Sequence, residues 1–435
     1  MKQTIALLFI HLCIFSTSRA QLVVTEVGKL PISVSNNAVC EGSIDGSNYL
    51  YSFGGIDSTK KHSGIHLKSY RYDIHTGQST RLPDLPDTLG KIAAGASRIG
   101  NIIYIAGGYH VFEDRSELSS NKLHRFDIKG NTFLNDGPDI PTATDDHVQA
   151  VWRGKLLYLI TGWSDVSNIA LVQIYDPATN TWIQGTPVPN SDNFKSFGAS
   201  GSIIGDTIYY FGGASSAAGF RIQKTLRKGV INPDKPTEID WTISTPSTEI
   251  KGYRMAATTV NNSLHWLGGS LKTYNYNGIA YNGTGGVSPS HRDLSIEGDF
   301  GNWKEVFVTE LPMDLRGIGN INDTLKYLMG GMLDEQTVTN KVYQLTWPNT
   351  GTAKASTPTS KVNILPNPFT QQLSIRVSEK VDLHWKLYNI HGLVLHSGTS
   401  QQPIARINTE HLVPGCYILQ GQCGKHVFFR SVIKQ

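Results

Sequence analysis

Cysteine is scarce in this sequence of 435 residues: Cys13, Cys40, Cys416 and Cys423 are the full set. Cys13 falls in an N-terminal leader described below, and the three that remain are an odd number, which excludes a closed disulfide framework. No C-x-x-C spacing occurs, so a thiolate metal site is not expected. Charge is also sparse. Only 17% of residues are charged and the formal net charge is +4, too small an excess to point to nucleic acid or an anionic membrane surface. Helical periodicity is missing, and beyond the N-terminus no apolar run approaches the roughly 20 residues that span a bilayer. With 43 glycines, the mature chain is expected to be a soluble, β-rich and loop-rich protein.

The N-terminus has its own pattern. Lys2 precedes an apolar run from Ile5 to Phe15, followed by the small-residue ending Ser18-Arg19-Ala20. This is the plan of a secretory signal peptide over residues 1–20, cleaved after Ala20.

What the sequence has in abundance is a recurring apolar strand that ends in glycine. YLYSFGG ends at Gly55, IIYIAGG at Gly108, LLYLITG at Gly162, IYYFGG at Gly213, LHWLGG at Gly269 and LKYLMGG at Gly331. The first positions of the doublets, Gly54, Gly107, Thr161, Gly212, Gly268 and Gly330, are separated by 53, 54, 51, 56 and 62 residues. A period this long marks a repeat architecture. After each doublet come a loop, a strand with an acidic or aromatic residue, a turn, and an aromatic before a Leu-Pro-like ending, as in KLHRFDIKGNTFLNDGPDIP and LVQIYDPATNTWIQGTPVP. The alternating strand packs on its neighbours, the glycines permit a tight turn, and the later aromatic fills the space between sheets.

A four-stranded unit of about 50 residues with these features resembles the kelch repeat, over residues 22–347. The resemblance implies an all-β fold, a six-bladed kelch-type β-propeller over residues 21–348. Residues 22–31, LVVTEVGKLP, read as the outer strand of a unit lacking its beginning, and Lys341 to Trp347 as a strand lacking its partner. Together they complete one blade, so the N-terminal strand is expected to close the ring and remove an exposed sheet edge.

Residues 349–361, with NTGTAKASTPTS at their core, have the composition of a linker. The strands that follow make a small C-terminal β-sandwich over 362–435. Its Leu365-Pro366-Asn367-Pro368-Phe369, its Leu387-Tyr388-Asn389 with Gly392, its Gly415-Cys416-Tyr417 and its basic end resemble the type A C-terminal sorting domain of the type IX secretion system. That resemblance implies a Bacteroidetes-like host and export through the periplasm to the medium or outer cell surface. It gives Pro366, Asn367, Pro368, Gly415 and Tyr417 a role in sorting, with the secretion machinery as partner.

In antiparallel blades the segment leading into the first strand and the loop joining the second to the third share one face. Lead-in segments about 14 to 17 residues before the glycine position supply Asn37, Lys91, Asp145, Asp146, His147, Lys195, Arg254 and Arg316, with Asn36 beside them. The inter-strand loops add His110, Glu113, Asp114, Arg115, Trp163, Asp165, Tyr274, Tyr276, Tyr281, His291, Arg292 and Asp293. Arginine, lysine and flat aromatics around a channel mouth suit a sugar, acidic or neutral. A carbohydrate- or protein-binding module is therefore the expected function, as a monomer without cofactor or metal. The alternative is a sugar epimerase or mutarotase, of the N-acetylneuraminate epimerase kind, drawing acid and base from Asp145, Asp146, His147, Glu113 and Arg254. A galactose oxidase-like copper enzyme is a third reading, with His110 and His291 as ligands. It needs a cysteine beside a tyrosine ligand, and Cys40 instead reads as part of an inner strand.

Overall fold

The computed structural model describes residues 22–217, 219–246, 249–297, 301–347, 362–377, 382–389, 394–402, 404–423 and 426–435. The leader at 1–20 and the linker at 349–361 lie outside the described residues. The chain divides into two compact units at residues 349 and 350. Strands dominate both, and the described helical turns are two short 3-10 turns, at His62–Gly64 and Asp334–Gln336.

Six larger, mainly antiparallel sheets follow one another along the described part of the first unit, with three two-stranded hairpins beside them. Sheet 1 holds Ala38–Ile44, Ser47–Phe53, Ser69–Asp73 and Ser79–Leu82; sheet 2 holds Gly95–Ile99, Ile102–Ala106, Leu123–Asp127 and Thr132–Phe133. Sheet 3 contains Val148–Trp152, Leu156–Ile160, Val172–Asp176 and Thr181–Gln184, and sheet 4 contains Ser200–Ile204, Thr207–Phe211, Leu226–Asn232 and Lys235–Ser244. Sheet 5 is built from Ala256–Val260, Ser263–Leu267, Arg292–Glu297 and Trp303–Phe307. Sheet 6 has Gly319–Asn320, Leu325–Met329 and Lys341–Thr346, and its fourth strand is Val23–Lys29, in register from Val23 opposite Thr346 to Lys29 opposite Lys341.

The glycine doublets explain themselves in the contacts between sheets. The second position of each doublet donates its N–H to the lead-in segment of the next sheet: Gly55 to Lys91 O, Gly108 to Thr144 O, Gly162 to Ser196 O, Gly213 to Gly252 O and Gly269 to Pro312 O. Gly331 donates to Val34 O, ahead of sheet 1, so the series returns to its first member. At the five first positions that are glycine, a Cβ would crowd the same neighbouring carbonyl. A Cβ on Gly212, where φ is +71°, would stand 2.1 Å from Gly252 O. Thr161 takes this place in sheet 3 at φ +50°, and its hydroxyl is used: it accepts from Ser196 N at 2.9 Å and donates to Ile169 O at 2.8 Å.

Hydrophobic packing runs the same way. Tyr51 and Phe53 of sheet 1 pack with Ile103 and Phe126 of sheet 2, Tyr104 with Leu157 and Tyr175, and Tyr158 and Ile174 with Ile208 and Tyr210. Phe211 of sheet 4 meets Trp266 of sheet 5, Leu267 of sheet 5 meets Leu328 and Leu345 of sheet 6, and Tyr327 and Met329 of sheet 6 meet Leu50 and Tyr72 of sheet 1. Each sheet thus buries both faces against neighbours, as an antiparallel sheet with apolar residues on both sides must. Cys40 is buried between sheets 1 and 2, where loss of solvation pushes its thiol well above its usual range.

The second unit packs a three-stranded sheet (Val362–Leu365, Gln372–Val377, Ile404–Asn408) with a four-stranded one (Val394–Ser400, Leu383–Tyr388, Gly415–Cys423, His426–Lys434). Phe369, Leu373, Ile375, Leu387, Leu419 and Val432 form the core between them. Asn367 accepts a hydrogen bond from Ile433 N at 2.8 Å, tying the segment around Pro366 and Pro368 to the final strand. Tyr417 is buried and donates to Val413 O at 2.6 Å. Gly415 opens the strand that carries Tyr417.

Candidate functional site

The residue two positions before each inner strand has a positive φ: Asn36, Ala93, Asp146, Gly198, Arg254 and Asp314, between 46° and 65°. Their peptides form a belt. Asn36 N donates to Asp314 O, Ala93 N to Asn36 O, Asp146 N to Ala93 O, Gly198 N to Asp146 O, Arg254 N to Gly198 O and Leu315 N to Arg254 O. Three of these positions carry charged side chains, Asp146, Arg254 and Asp314, and those converge.

At the centre is Arg254, 1% exposed. Its Nη2 donates to Asp146 Oδ2 at 2.6 Å and its Nε lies 3.2 Å from both oxygens of that carboxylate, while Nη1 donates to Asp314 Oδ1 at 3.1 Å. The guanidinium also rests against the rings of Tyr253 and Tyr274, 5.2 and 5.3 Å from their centroids. Burial opposes its charge, but Asp146, with smaller help from Tyr253, Tyr109 and Asp314, overcomes this and holds Arg254 protonated. Asp314 takes further hydrogen bonds from Ser35 at 2.6 Å and Tyr274 at 3.3 Å, and its burial raises its carboxyl above the usual range against the pull of Arg254. Two arginines, 254 and 316, thus face two carboxylates, 146 and 314. Arg254 is held by both carboxylates, and a buried ion pair of this kind fixes geometry more than it adds stability.

The predicted residues separate into those that join this cluster and those that do not. Asp146, Arg254 and Arg316 meet in it, with His147 at its edge: Arg316 Nη2 donates to His147 O at 2.8 Å, and Nη1 is 3.7 Å from Asp146 Oδ1. His147 is buried, its Nε2 lies 3.1 Å from Gln149 Oε1, and burial followed by the nearby Arg316 charge lowers its pKa to about 3. Asp145 points elsewhere, to Ser119 Oγ at 2.5 Å, and burial with the adjacent Asp146 drives its pKa well above normal. Asn37 is spent on Ser52 and Met329 O, and Asn36 accepts from Ala93 N.

Lys91 and Lys195 do not occupy belt positions; Ala93 and Gly198 do. Lys91 is buried against Asp87 at 2.5 Å and His124 at 2.9 Å, and His110 bonds to Gly90 O at 2.9 Å on the same side. His291 pairs with Asp334 at 3.2 Å, Arg292 pairs with Glu305 on its own sheet, and Asp293 bonds His265 at 2.8 Å. His110 and His291 therefore take separate partners. Among the described residues no three His, Cys, Asp or Glu side chains converge as metal ligands.

The tyrosine-rich segment 271–289 lies over the cluster. Tyr274 reaches down to Asp314, Thr273 donates to Phe220 O at 2.5 Å, and Tyr281 stacks on Phe220 with centroids 4.8 Å apart. Tyr276 packs with Ile56, Ile65, Ile92 and Tyr109 on the far side, and Gln336 donates to Gly278 O. Trp163 packs its ring on Phe197 and Phe220. The aromatic faces expected to stack on a sugar are used in this packing.

Outside the cover, the loop face carries hairpins. Tyr109–Val111 pairs with Glu117–Ser119, and Trp163–Ser164 with Ser167–Asn168. Ser119 N donates to Asp165 Oδ1 and Asp165 N to Ser119 Oγ, at 3.0 and 2.9 Å, locking the two hairpins together. Phe112, Leu118 and Val166 on them are 37, 47 and 83% exposed, beside Glu113, Asp114 and Arg115. Glu117, opposite Val111 next to the turn of the first hairpin, has its carboxyl raised by partial desolvation despite the field of Arg254. Sequence reasoning missed Glu117 and Asp314.

Sheets packed face to face, glycine doublets at their junctions and a polar cluster at their lead-in ends define a repeat protein of the β-propeller class. The solved structure of YjhT aligns with this chain at a TM-score of 0.57 and 15% identity, over 73% of this chain and 96% of that one. Kelch-like protein 36 of Mus musculus is 24% identical over 172 residues, 40% of this chain and 26% of its own. Kelch-like protein terF of Aspergillus terreus is 27% identical over 126 residues, 27% of this chain and 26% of its own. The matched part spans about a quarter of the length of these relatives. Residues 363–435 match the model of the secretion system C-terminal sorting domain. The chain is a kelch-repeat protein that ends in a type IX secretion C-terminal sorting domain.

Proposed function

We propose that this chain is an exported six-bladed propeller, closed by Val23–Lys29, that serves as a protein-binding module on the outer cell surface or in the medium. The leader 1–20 delivers it to the periplasm, residues 21–348 form the propeller, 349–361 link it to the tail, and 362–435 address it for export. The hydrogen-bond series that returns from Gly331 to Val34 supports closure.

One observation carries the binding role: Phe112, Leu118 and Val166 are exposed together on two hairpins locked by the Ser119 and Asp165 bonds. Exposed large apolar side chains on a rigid, polar-rimmed support are what a protein partner desolvates. Acid–base chemistry has less support, because a general acid or base must be free to reach substrate. Asp146 is bound to Arg254 through both oxygens, Asp145 to Ser119, and the segment 271–289 covers them.

Cross-linking of the exported chain on its host cells tests this, comparing the wild type with Phe112→Ser and Val166→Ser. A discrete cross-linked protein that both substitutions remove is the expected result. Sugar binding by NMR that survives both substitutions would replace the protein partner with a glycan. Anomeric or epimeric exchange abolished by Asp146→Asn or Arg254→Ala would establish an epimerase instead.

A further inference from the structure

Beneath the Arg254 cluster, the inner strands of all six sheets surround a cavity of about 240 Å³. His147 and Arg316 line it near the lead-in ends of the strands, and Glu41, Arg98 and Asn320 line it further along them. Small residues in the wall, among them Gly95, Ala150, Gly201 and Ala257, keep it open. At about 240 Å³ the space falls below the roughly 300 Å³ at which drug-sized pockets begin. An occupant must be small.

Arg316 reaches this place because the last inner strand is split. Arg316–Gly317 pairs in parallel with Ala38–Val39 of sheet 1, while Gly319–Asn320 joins sheet 6. Gly317 allows the crossing: at φ +131°, a Cβ there would stand 2.1 Å from Val39 O. The Arg316 side chain is 6% exposed, yet among the described residues a single one of its five N–H donors meets an acceptor within hydrogen-bond range, Nη2 to His147 O at 2.8 Å. Nε has no partner, and Nη1 is 3.7 Å from an Asp146 carboxylate already bound by Arg254. Burying guanidinium donors without acceptors is costly. Removal from water outweighs the attraction of Asp146 and lowers the Arg316 pKa, as expected of a cation short of counter-charge.

We propose that the cavity is a binding site for a small organic monocarboxylate, held by Arg316, with His147 and Ser200 in the same wall. A guanidinium matches a carboxylate in shape and charge. A dianion is disfavoured because the additional charge must also be buried and Glu41 lies in the same wall. This site is separate from the hairpin face and does not rest on the protein-binding reading.

The test titrates sodium acetate, and acetamide as its uncharged counterpart, into the full mature chain at constant ionic strength, followed by ligand-observed NMR. Saturable acetate binding, at least tenfold tighter than acetamide, is expected. Arg316→Gln should weaken acetate at least tenfold. Ser202→Trp, which narrows the cavity and leaves Arg316 in place, should do the same with an unchanged melting temperature, and it decides the matter should Arg316→Gln fail to fold. Phe112→Ser should change nothing. Absence of saturation, equal binding of acetamide, or full acetate binding by folded Ser202→Trp would each overturn the proposal.

Discussion

Replacing Gly212 by alanine probes the junction between neighbouring sheets, and Gly205 supplies its control. Both glycines sit at positive φ, +71° and +57°, so alanine pays about 1–2 kcal/mol at either position for the left-handed conformation. They differ in what the new methyl meets. At Gly205 nothing lies within 4 Å, whereas at Gly212 the Cβ falls 2.1 Å from Gly252 O. That carbonyl accepts the Gly213 N–H at 2.9 Å, so clearing the clash breaks the bond that joins sheet 4 to sheet 5. Leaving a buried donor and acceptor unpaired adds about 1–3 kcal/mol. Gly205→Ala is therefore expected to cost about 1–2 kcal/mol and Gly212→Ala about 2–5 kcal/mol. Urea unfolding followed by tryptophan fluorescence measures both, since Trp266 is buried at the affected junction. Equal losses for the two variants would refute the idea that the doublets exist to let the next sheet's backbone approach.

Other expectations concern the charged cluster, pH and the tail. Arg254→Met leaves Asp146 and Asp314 buried without their main counter-charge and should destabilise the chain by about 3–5 kcal/mol in the same urea assay; a loss below about 1 kcal/mol would contradict a closed network. His147 and His66 are held neutral in the fold, with pKa values lowered to about 3 and about 4, chiefly by burial. Because the unfolded chain binds these protons first, their contribution is complete near neutral pH and is lost as pH falls below the ordinary histidine value, by on the order of 2 kcal/mol each at about pH 4.5. His147→Asn should flatten that slope between about pH 6 and 4, and an unchanged slope would count against a buried neutral imidazole. In the tail, Asn367→Ala removes the acceptor of Ile433 N. It should lower export measured as surface-exposed chain, and undiminished export would separate this contact from sorting.

The repeat was legible because its cause is local. A strand of YLYSF type needs β-branched and aromatic residues, and the doublet after it needs glycine, so period and composition both reach the surface of the sequence. The tail was legible for the same reason, through LPNPF and GCY. The site was harder to read. Arg254 and Asp146 were found because they fall 14 and 15 residues before the glycine position of their sheets, yet their partner Asp314 was passed over for Arg316. The lead-in of sheet 6 is offset by two residues and its inner strand is split between sheets 1 and 6. Lys91 and Lys195 were assigned to the mouth by counting back from glycine, and counting does not register the two or three extra residues that place Ala93 and Gly198 there instead. The tyrosines of 271–289 signalled a surface, but sequence does not tell a binding platform from a cover, and Tyr274 with Tyr276 became part of the packing.

The account depends most on Val23–Lys29 completing the sixth sheet. Thr25 lies opposite Gln344 in that pairing, and facing residues of antiparallel strands have Cα atoms about 4.5–5.5 Å apart, within the range a disulfide spans. The measurement is non-reducing electrophoresis of Thr25→Cys/Gln344→Cys against each single variant under mild oxidation. A fast-migrating intramolecular species confined to the double variant is the expected result. Its absence, with both introduced thiols free to alkylating reagent, would contradict the closure of the ring.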